Sequence, residues 1–231
     1  MDYFPVCLQV AGRLCIVIGG GRVAERKVKS LLAYGAKVKV ISPELTGALA
    51  LLRDQAQIEW LARPYRQGDL GGAFLVIAAT DDPAVQDQVF AEAETNNTLL
   101  NVADVPNRCN FILPATARSG DLSISVSTAG RSPALAGKLR RELESMFGPE
   151  YGVLLGVLGA LREIVLARGY AHDDNKIVFG RLADLSMAQW VRDGLWEKMA
   201  KHIQDVLGDD VDLSCLESAK VKYQQATGAV I

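Results

Sequence analysis

The stretch Leu14-Cys15-Ile16-Val17-Ile18-Gly19-Gly20-Gly21-Arg22-Val23-Ala24 joins a continuous apolar run to three consecutive glycines. A run with no polar alternation is what a strand covered on both faces requires. Behind it, Arg22 to Tyr34 sets Val23, Val28, Leu31 and Leu32 among the polar Arg26, Lys27 and Lys29, with Gly35 at the stop, which predicts a helix. Gly19, Gly21 and Ala24 fall at the G-x-G-x-x-A positions between strand and helix, where bare backbone approaches a pyrophosphate and helix N–H groups face it. Strand, turn and helix together predict a dinucleotide site built from Gly19, Gly20, Gly21, Arg22, Val23 and Ala24.

The following segments repeat the alternation. Val38 to Ile41, Ile58 to Leu61, Phe74 to Ala79 and Leu99 to Val102 read as strands, and Pro83 opens a helix running to Glu94. The order predicts a doubly wound, Rossmann-like parallel sheet. No acid closes the second strand, since Ile41 is followed by Ser42-Pro43-Glu44. Ser42 and Pro43 are assigned to the cofactor, with Ser42 able to hydrogen-bond the ribose. Arg22 can meet a phosphate, so these residues leave NAD and NADP both open. Thr80 and Asp81, past the Phe74–Ala79 strand, are assigned to the same edge, whereas Asp82 before Pro83 reads as a helix N-cap.

The composition excludes several classes. The chain has 231 residues, 49% hydrophobic and 23% charged, and its 25 basic against 27 acidic residues leave net −2. No global field recruits nucleic acid or a membrane surface, so an anionic ligand must meet a local patch. Cys7, Cys15, Cys109 and Cys215 form no C-x-x-C pair and have only His172 and His202 to join them, which argues against a resident metal site. Dispersed cysteines, and an acid at the start Met1-Asp2-Tyr3-Phe4-Pro5 where a signal peptide is basic, predict a cytoplasmic protein. The apolar stretch Val153 to Leu161 is too short to span a bilayer. No tyrosine has lysine four positions on, which excludes the Tyr-x-x-x-Lys dehydrogenases, and the zinc-dependent class lacks its ligands.

After the last sheet strand comes Asn101-Val102-Ala103-Asp104-Val105-Pro106. Asp104 falls just past the carboxyl end of a strand, where open α/β sheets hold ligands, and as a residue type it is equally an aspartate capping a turn. Then Ile112 to Ala117 and Leu122 to Ser127 predict a β-hairpin joined by Arg118 to Asp121, and Ser132-Pro133 opens a helix with Leu135, Leu139 and Leu143 on one stripe. Within 105–145, Arg108, Arg118, Arg131, Lys138, Arg140 and Arg141 outweigh Asp121, Glu142 and Glu144 by +3. A basic segment near a nucleotide site suits an acidic substrate. The expected organisation is a Rossmann domain over 1–111, a hairpin-and-helix segment over 112–145 and a helical domain over 146–231.

Gly19 to Ala24, Arg63-x-Tyr65 with Asp69-Leu70, Ala78 to Asp82, Asn101-Val102-x-Asp104-x-Pro106, Phe111-Ile112-x-Pro114 and Ser127-x-x-Gly130-x-Ser132-Pro133 occur in order. Over residues 1 to about 145 the chain resembles the precorrin-2 dehydrogenase/sirohydrochlorin ferrochelatase family, the N-terminal module of siroheme synthases. The resemblance implies oxidation of precorrin-2 to sirohydrochlorin with NAD, with or without insertion of ferrous or cobaltous ion, and Asp104 as the general base. It implies Asn101, Arg108, Ser127, Thr128, Arg131 and Lys138 as substrate-binding, and a homodimer through the hairpin-and-helix segment. Leu122, Ile124 and Val126 make one apolar face of the hairpin, which predicts that this face is buried in such a dimer. Thr128 departs from the second serine of relatives fused to a methyltransferase, keeping the hydroxyl and adding a methyl. Two other readings stay open. One is a non-catalytic NAD-sensing dimer, which has no use for Asp104 or the basic segment; the other is an oxidoreductase for another polyanionic small molecule.

Overall fold

The computed structural model describes residues 3–169 and 171–228. The chain divides into two compact units, one ending at Leu113 and the other beginning at Pro114.

The first unit is a five-stranded parallel sheet in the order β3-β2-β1-β4-β5, formed by β1 (Leu14–Ile18), β2 (Lys37–Ile41), β3 (Ile58–Leu61), β4 (Leu75–Ala78) and β5 (Leu99–Val102). Helices α1 (Arg22–Ala33), α2 (Gly47–Asp54) and α3 (Pro83–Asn96) make the crossovers. The strand order reverses between β1 and β4, and the glycine loop stands at that switch point, as the doubly wound reading requires. Cys15, Val17, Val38, Val40, Leu75 and Ile77 pack on one face with Ala24, Val28 and Leu31 of α1 and Leu49 of α2. Ile16, Ile18, Ile41, Val76 and Ala78 pack on the other with Val89 and Ala93 of α3. Each fully buried aliphatic side chain contributes about 1.5–3 kcal/mol, so a sheet covered on both faces makes a stiff floor for the loops at its carboxyl edge.

Two features differ from the sequence expectation. Helix α2 is not among the elements the sequence pattern predicts; Thr46 caps it, its hydroxyl accepting from the Leu49 N–H at 3.3 Å. The hairpin is shifted toward its turn: β6 is Ala115–Ser119 and β7 is Leu122–Val126, with Ser119 opposite Leu122. The connection is therefore Gly120-Asp121 rather than four residues, because Gly120 takes a left-handed φ of 55° that suits a two-residue hairpin turn. Pro114, which has no N–H to give a ladder, stays outside the strand.

The Arg63-x-Tyr65 and Asp69-Leu70 residues build the loop that covers the α3 face. The Arg63 guanidinium holds Asp69 through two bonds of 2.7 Å, and Asp69 also accepts from the Arg66 N–H at 2.7 Å. Buried Glu92 of α3 accepts from the Tyr65 hydroxyl and from the N–H groups of Gly68 and Leu70, at 2.7 and 2.9 Å for the two amides. A buried carboxylate satisfied by three donors anchors the loop, and removing a partner leaves the rest unsatisfied.

In the second unit the hairpin packs with α4 (Pro133–Met146) and α5 (Pro149–Ala167), followed by α6 (His172–Leu182), α7 (Ser186–Arg192), α8 (Trp196–Leu207) and α9 (Ser214–Thr227). The tail is helical as expected, although Tyr170 and residues 229–231 lie outside the described residues. Its core gathers Leu154, Val157, Leu161, Met187, Met199 and Ile203. The hairpin meets α5 through two glycines: a Cβ on Gly152 would lie 2.9 Å from the Gly120 nitrogen. Ser119 Oγ accepts from the Gly152 N–H at 3.1 Å beside them. Among the described residues, no helix is long and apolar enough to cross a membrane.

The Arg63 bonds, with a smaller contribution from the Arg66 N–H, hold the Asp69 carboxyl below its ordinary range against its partial burial. Such a group contributes stability that is complete above the unfolded carboxylate value of about 3.9 and is lost as pH falls through its lowered folded value. Asp69→Asn is expected to lower the thermal midpoint at neutral pH, and its difference from the wild type to close below about pH 4. Thermal unfolding followed by circular dichroism across pH 2.5–7 tests this; a constant difference would remove Asp69 from the acid response.

Candidate functional site

The three glycines have separate duties. A Cβ on Gly19, whose φ is 110°, would lie 2.3 Å from the Ala79 carbonyl oxygen, and one on Gly20 would lie 1.9 Å from that of Glu44. Both glycines are demanded by the packing of the chain itself. A Cβ on Gly21 would meet nothing within 4 Å. Gly21 is also the N-cap of α1, and no side chain caps that helix. Bare backbone facing open space at an uncapped helix start is the cradle a pyrophosphate requires, so the loop fits a dinucleotide. Arg22 and Val23 are exposed at the helix start, while Ala24 is buried against the sheet.

The segment after β2 closes over Gly20. The Thr46 N–H donates to the Gly20 carbonyl at 3.0 Å, and Ser42 is buried, its carbonyl accepting from Trp60 Nε1 at 2.9 Å. Pro43 beside it is exposed. The Thr46 hydroxyl donates to Glu25 at 2.8 Å and Lys29 donates to the other oxygen at 2.6 Å, which holds the Glu25 carboxyl below its ordinary range, the Lys29 bond first. Past β4, Thr80 is half-buried and Asp81 exposed. Asp82 caps α3 through the Ala84 and Val85 N–H groups, the structural role expected of it.

Asp104 stands in the turn after β5, exposed, with a left-handed φ of 59°. Its turn is tied back to the strand by side chains that imitate another strand. Asn110 accepts from the Leu100 N–H at 2.7 Å and donates to the Thr98 carbonyl at 2.9 Å. Cys109 Sγ accepts from the Val102 N–H at 3.2 Å, and burial pushes the thiol up from its ordinary pKa. The Asn101 amide donates to the Phe111 carbonyl at 3.1 Å. Arg108 is drawn onto α3 by Asp87 and by Gln86 at 3.3 Å. Asn101 and Arg108 are thus engaged inside the chain.

Ser127, Thr128, Arg131 and Lys138 belong to the second unit. Ser127 Oγ accepts from the Ala129 N–H at 3.2 Å and Thr128 Oγ1 from the Ser132 N–H at 3.1 Å, across a turn in which Ala129 and Gly130 are left-handed. Both hydroxyl hydrogens remain to donate, and the added methyl of Thr128 leaves this bond intact. Arg131 and Lys138 are exposed.

The sequence reading missed Lys27 of α1, which is half-buried rather than solvated. Its position three residues after Ala24 and four before Leu31 was the available signal. A shallow groove of about 440 Å³ runs along Arg22, Glu25, Arg26 and Lys29. A larger one of about 550 Å³ lies between Arg13, Leu14, Phe74 and Thr98, at the amino ends of the strands and away from Asp104. Among the described residues no three His, Cys, Asp or Glu side chains form a metal-binding group.

A family model described as NAD(P)-binding matches residues 6–115, and one described as sirohaem biosynthesis protein central matches 119–146. The chain is similar to siroheme synthases. It is 33% identical to the siroheme synthase of Photorhabdus laumondii over 90% of this chain and 44% of that protein. It is 40% identical to siroheme synthase 1 of Serratia proteamaculans over 73% of this chain and 35% of that protein. The chain thus spans less than half the length of these relatives. A solved structure titled SirC, precorrin-2 dehydrogenase, shares the fold at TM-score 0.76 and 24% identity, covering 88% of this chain and 98% of that one. The first unit is an NAD(P)-binding Rossmann domain.

The glycines can be separated by experiment. Gly21→Asp adds a carboxylate where the chain leaves room, and is expected to keep the fold and weaken NAD binding at least about tenfold, whereas Gly20→Ala meets backbone and is expected to unfold the unit. Titration calorimetry and thermal unfolding check the pair; unchanged NAD affinity in folded Gly21→Asp would take the loop out of the site.

Proposed function

We propose that this chain oxidises precorrin-2 to sirohydrochlorin with NAD, and that Asp104 is the base. The observation that carries this reading is a glycine loop open at Gly21 and a carboxylate held just past β5, both at the carboxyl edge of one sheet. NAD, when bound, supplies the acceptor for the hydride that dehydrogenation removes. Asp104 takes the proton that leaves with it, so the step needs one base and no nucleophile. Similarity to siroheme synthases over part of their length supports the substrate class, a reduced tetrapyrrole polycarboxylate.

Arg131 and Lys138 offer charge for the substrate carboxylates, and the hydroxyl hydrogens of Ser127 and Thr128 offer neutral donors. Asn101 and Arg108 serve by framing the turn that carries Asp104. A homodimer through the hairpin and α4 is supported by Leu135, Leu139 and Met146, exposed at 49%, 36% and 61%. Leu122, Ile124 and Val126, expected to lie between copies, are already half-covered within the chain. Cytoplasmic placement rests on four unpaired cysteines.

Asp104→Asn keeps the shape and removes the basicity. Turnover, followed as NADH formation and the change in the tetrapyrrole spectrum, is expected to fall by about 10²–10⁴ with NAD affinity retained. Full activity in the variant would overturn the base, and NAD binding without any spectral change in the wild type would make the chain a sensor. Sirohydrochlorin given with ferrous or cobaltous ion and no NAD tests metal insertion, in which the same carboxylate would receive pyrrole protons. Insertion at the protein-free rate leaves the chain a dehydrogenase alone. Sedimentation equilibrium is expected to give about twice the 24.9 kDa chain mass, and a monomer at micromolar concentration would refute the dimer.

A further inference from the structure

The amino edge of the first sheet carries a cavity that the dehydrogenase reading does not use. Strands β1, β4 and β5 lie side by side, with Cys15 level with Leu75 and Leu75 level with Leu99. Leu14, Phe74 and Thr98 form the next row toward the amino edge, and the Phe74 N–H donates to the Leu14 carbonyl at 2.9 Å. Arg13 precedes that row. Its N–H donates to the Val10 carbonyl at 2.9 Å, and its carbonyl accepts from the Lys37 N–H at 2.9 Å, which fixes its backbone. Its guanidinium lies over the Phe74 ring, 4.5 Å from the centroid. With Gly72 and Ala73 these residues line a cavity of about 550 Å³, a volume in the range of small-molecule sites.

Three donors in this lining are unspent. Among the described residues the Arg13 guanidinium makes no ion pair and no hydrogen bond, and Arg13 is the one charged residue of the lining. Thr98 is only 6% exposed. Its N–H donates to the Ala93 carbonyl at 2.9 Å and its carbonyl accepts from Asn110 at 2.9 Å, yet among the described residues its hydroxyl has no partner. A buried hydroxyl left unpaired costs free energy that a valine of the same shape would not, so the packing of the sheet does not account for it. The Gly72 N–H is also unpaired among the described residues, and a Cβ on Gly72 would meet nothing within 4 Å, so its backbone is accessible.

Unpaired donors without a carboxylate among them select an anionic acceptor. The charge they can hold is small. Arg13 is a single cation, and α3 ends at this cavity with Asn96, bringing the negative end of its dipole. The N–H groups of Asn97 and Thr98 take up the last-turn carbonyls of Glu94 and Ala93, which limits that opposition without reversing it. A phosphate dianion is better served at the other edge of the sheet, where helices begin. A carboxylate carries one charge and matches the planar fork of an arginine. Leu14 and Ala73, both half-buried, supply an apolar wall beside the donors.

We propose that the amino edge of the first unit is a binding site for a small carboxylate with an apolar body. The Arg13 guanidinium and the Thr98 hydroxyl hold the carboxylate, and Leu14 and Ala73 receive the body. The site lies at the opposite edge of the sheet from the glycine loop and Asp104, so the proposal stands apart from the assignment of the base.

The test is titration calorimetry of the full chain with benzoate, benzamide and inorganic phosphate, with NAD titrated in parallel. Benzoate is expected to bind with Kd of about 0.1–1 mM, as a ligand of its size allows, and benzamide and phosphate at least about tenfold more weakly. Arg13→Gln is expected to weaken benzoate at least about tenfold, and Thr98→Val about three- to tenfold, with NAD affinity unchanged in both. Thermal unfolding checks that each variant is folded. If Arg13→Gln is not, Arg13→Met, which keeps an apolar stem over Phe74, is judged by the same criteria.

No benzoate binding to the wild type overturns the proposal, as does benzoate affinity unchanged in folded Arg13→Gln. Benzamide bound as tightly as benzoate would mean that charge is not read, and phosphate bound more tightly would make this an inorganic oxyanion site; either result overturns the carboxylate. Benzoate that competes with NAD lies in the cofactor crevice and equally removes the amino-edge site.

Discussion

The contact on which the first unit depends is backbone against backbone at Gly19 and Gly20. There the end of β1 is pressed between the end of β4 and the segment that leaves β2, at separations no side chain could share. The contact brings three strand ends to one level and lets the Thr46 N–H reach the Gly20 carbonyl. Thr46 in turn caps α2 and grips Glu25 of α1. One steric constraint thereby joins the sheet, two helices and the floor of the crevice. Gly21 is exempt from it, which is why the open space lies there.

Local signals carried most of this fold. The apolar run at β1, the Asp82 and Ser132 caps and the stop at Gly35 depend on a few neighbouring residues, and each stands where the sequence put it. The hairpin register departs from the sequence pattern because Ile112 and Leu113 have strand-like side chains, while the Gly120 turn and Pro114 decide the geometry. Helix α2 is short and signalled chiefly by one threonine cap. The half-burial of Lys27 follows from its place beside the Ala24–Val28–Leu31 stripe, which its residue type masks.

The candidate site was legible as positions and not as a structure. That Asp104 follows a strand could be counted along the chain. The means of holding its turn could not, since a thiol accepting an amide hydrogen and two asparagines standing in for a strand edge are tertiary arrangements. They also blunt the open side of β5, which would otherwise present unpaired N–H and C=O groups to other chains. Asn101 illustrates the difference: the resemblance implies a ligand contact for it, while the bond from its amide to the Phe111 carbonyl is a tertiary detail that no count along the chain gives.

The paired glycines at 120 and 152 bear on the order in which the chain acquires its structure. The sheet of the first unit uses only residues before Leu113, so every one of its strands is available early in synthesis. The hairpin of the second unit has its partner some thirty positions later, where Gly152 and Ser119 lock turn to helix. A two-stranded ribbon alone is marginal in water. Until α5 leaves the ribosome, the hairpin is a nascent element awaiting its support, and translation across residues 120–167 is the interval in which the second unit is most exposed to mispairing.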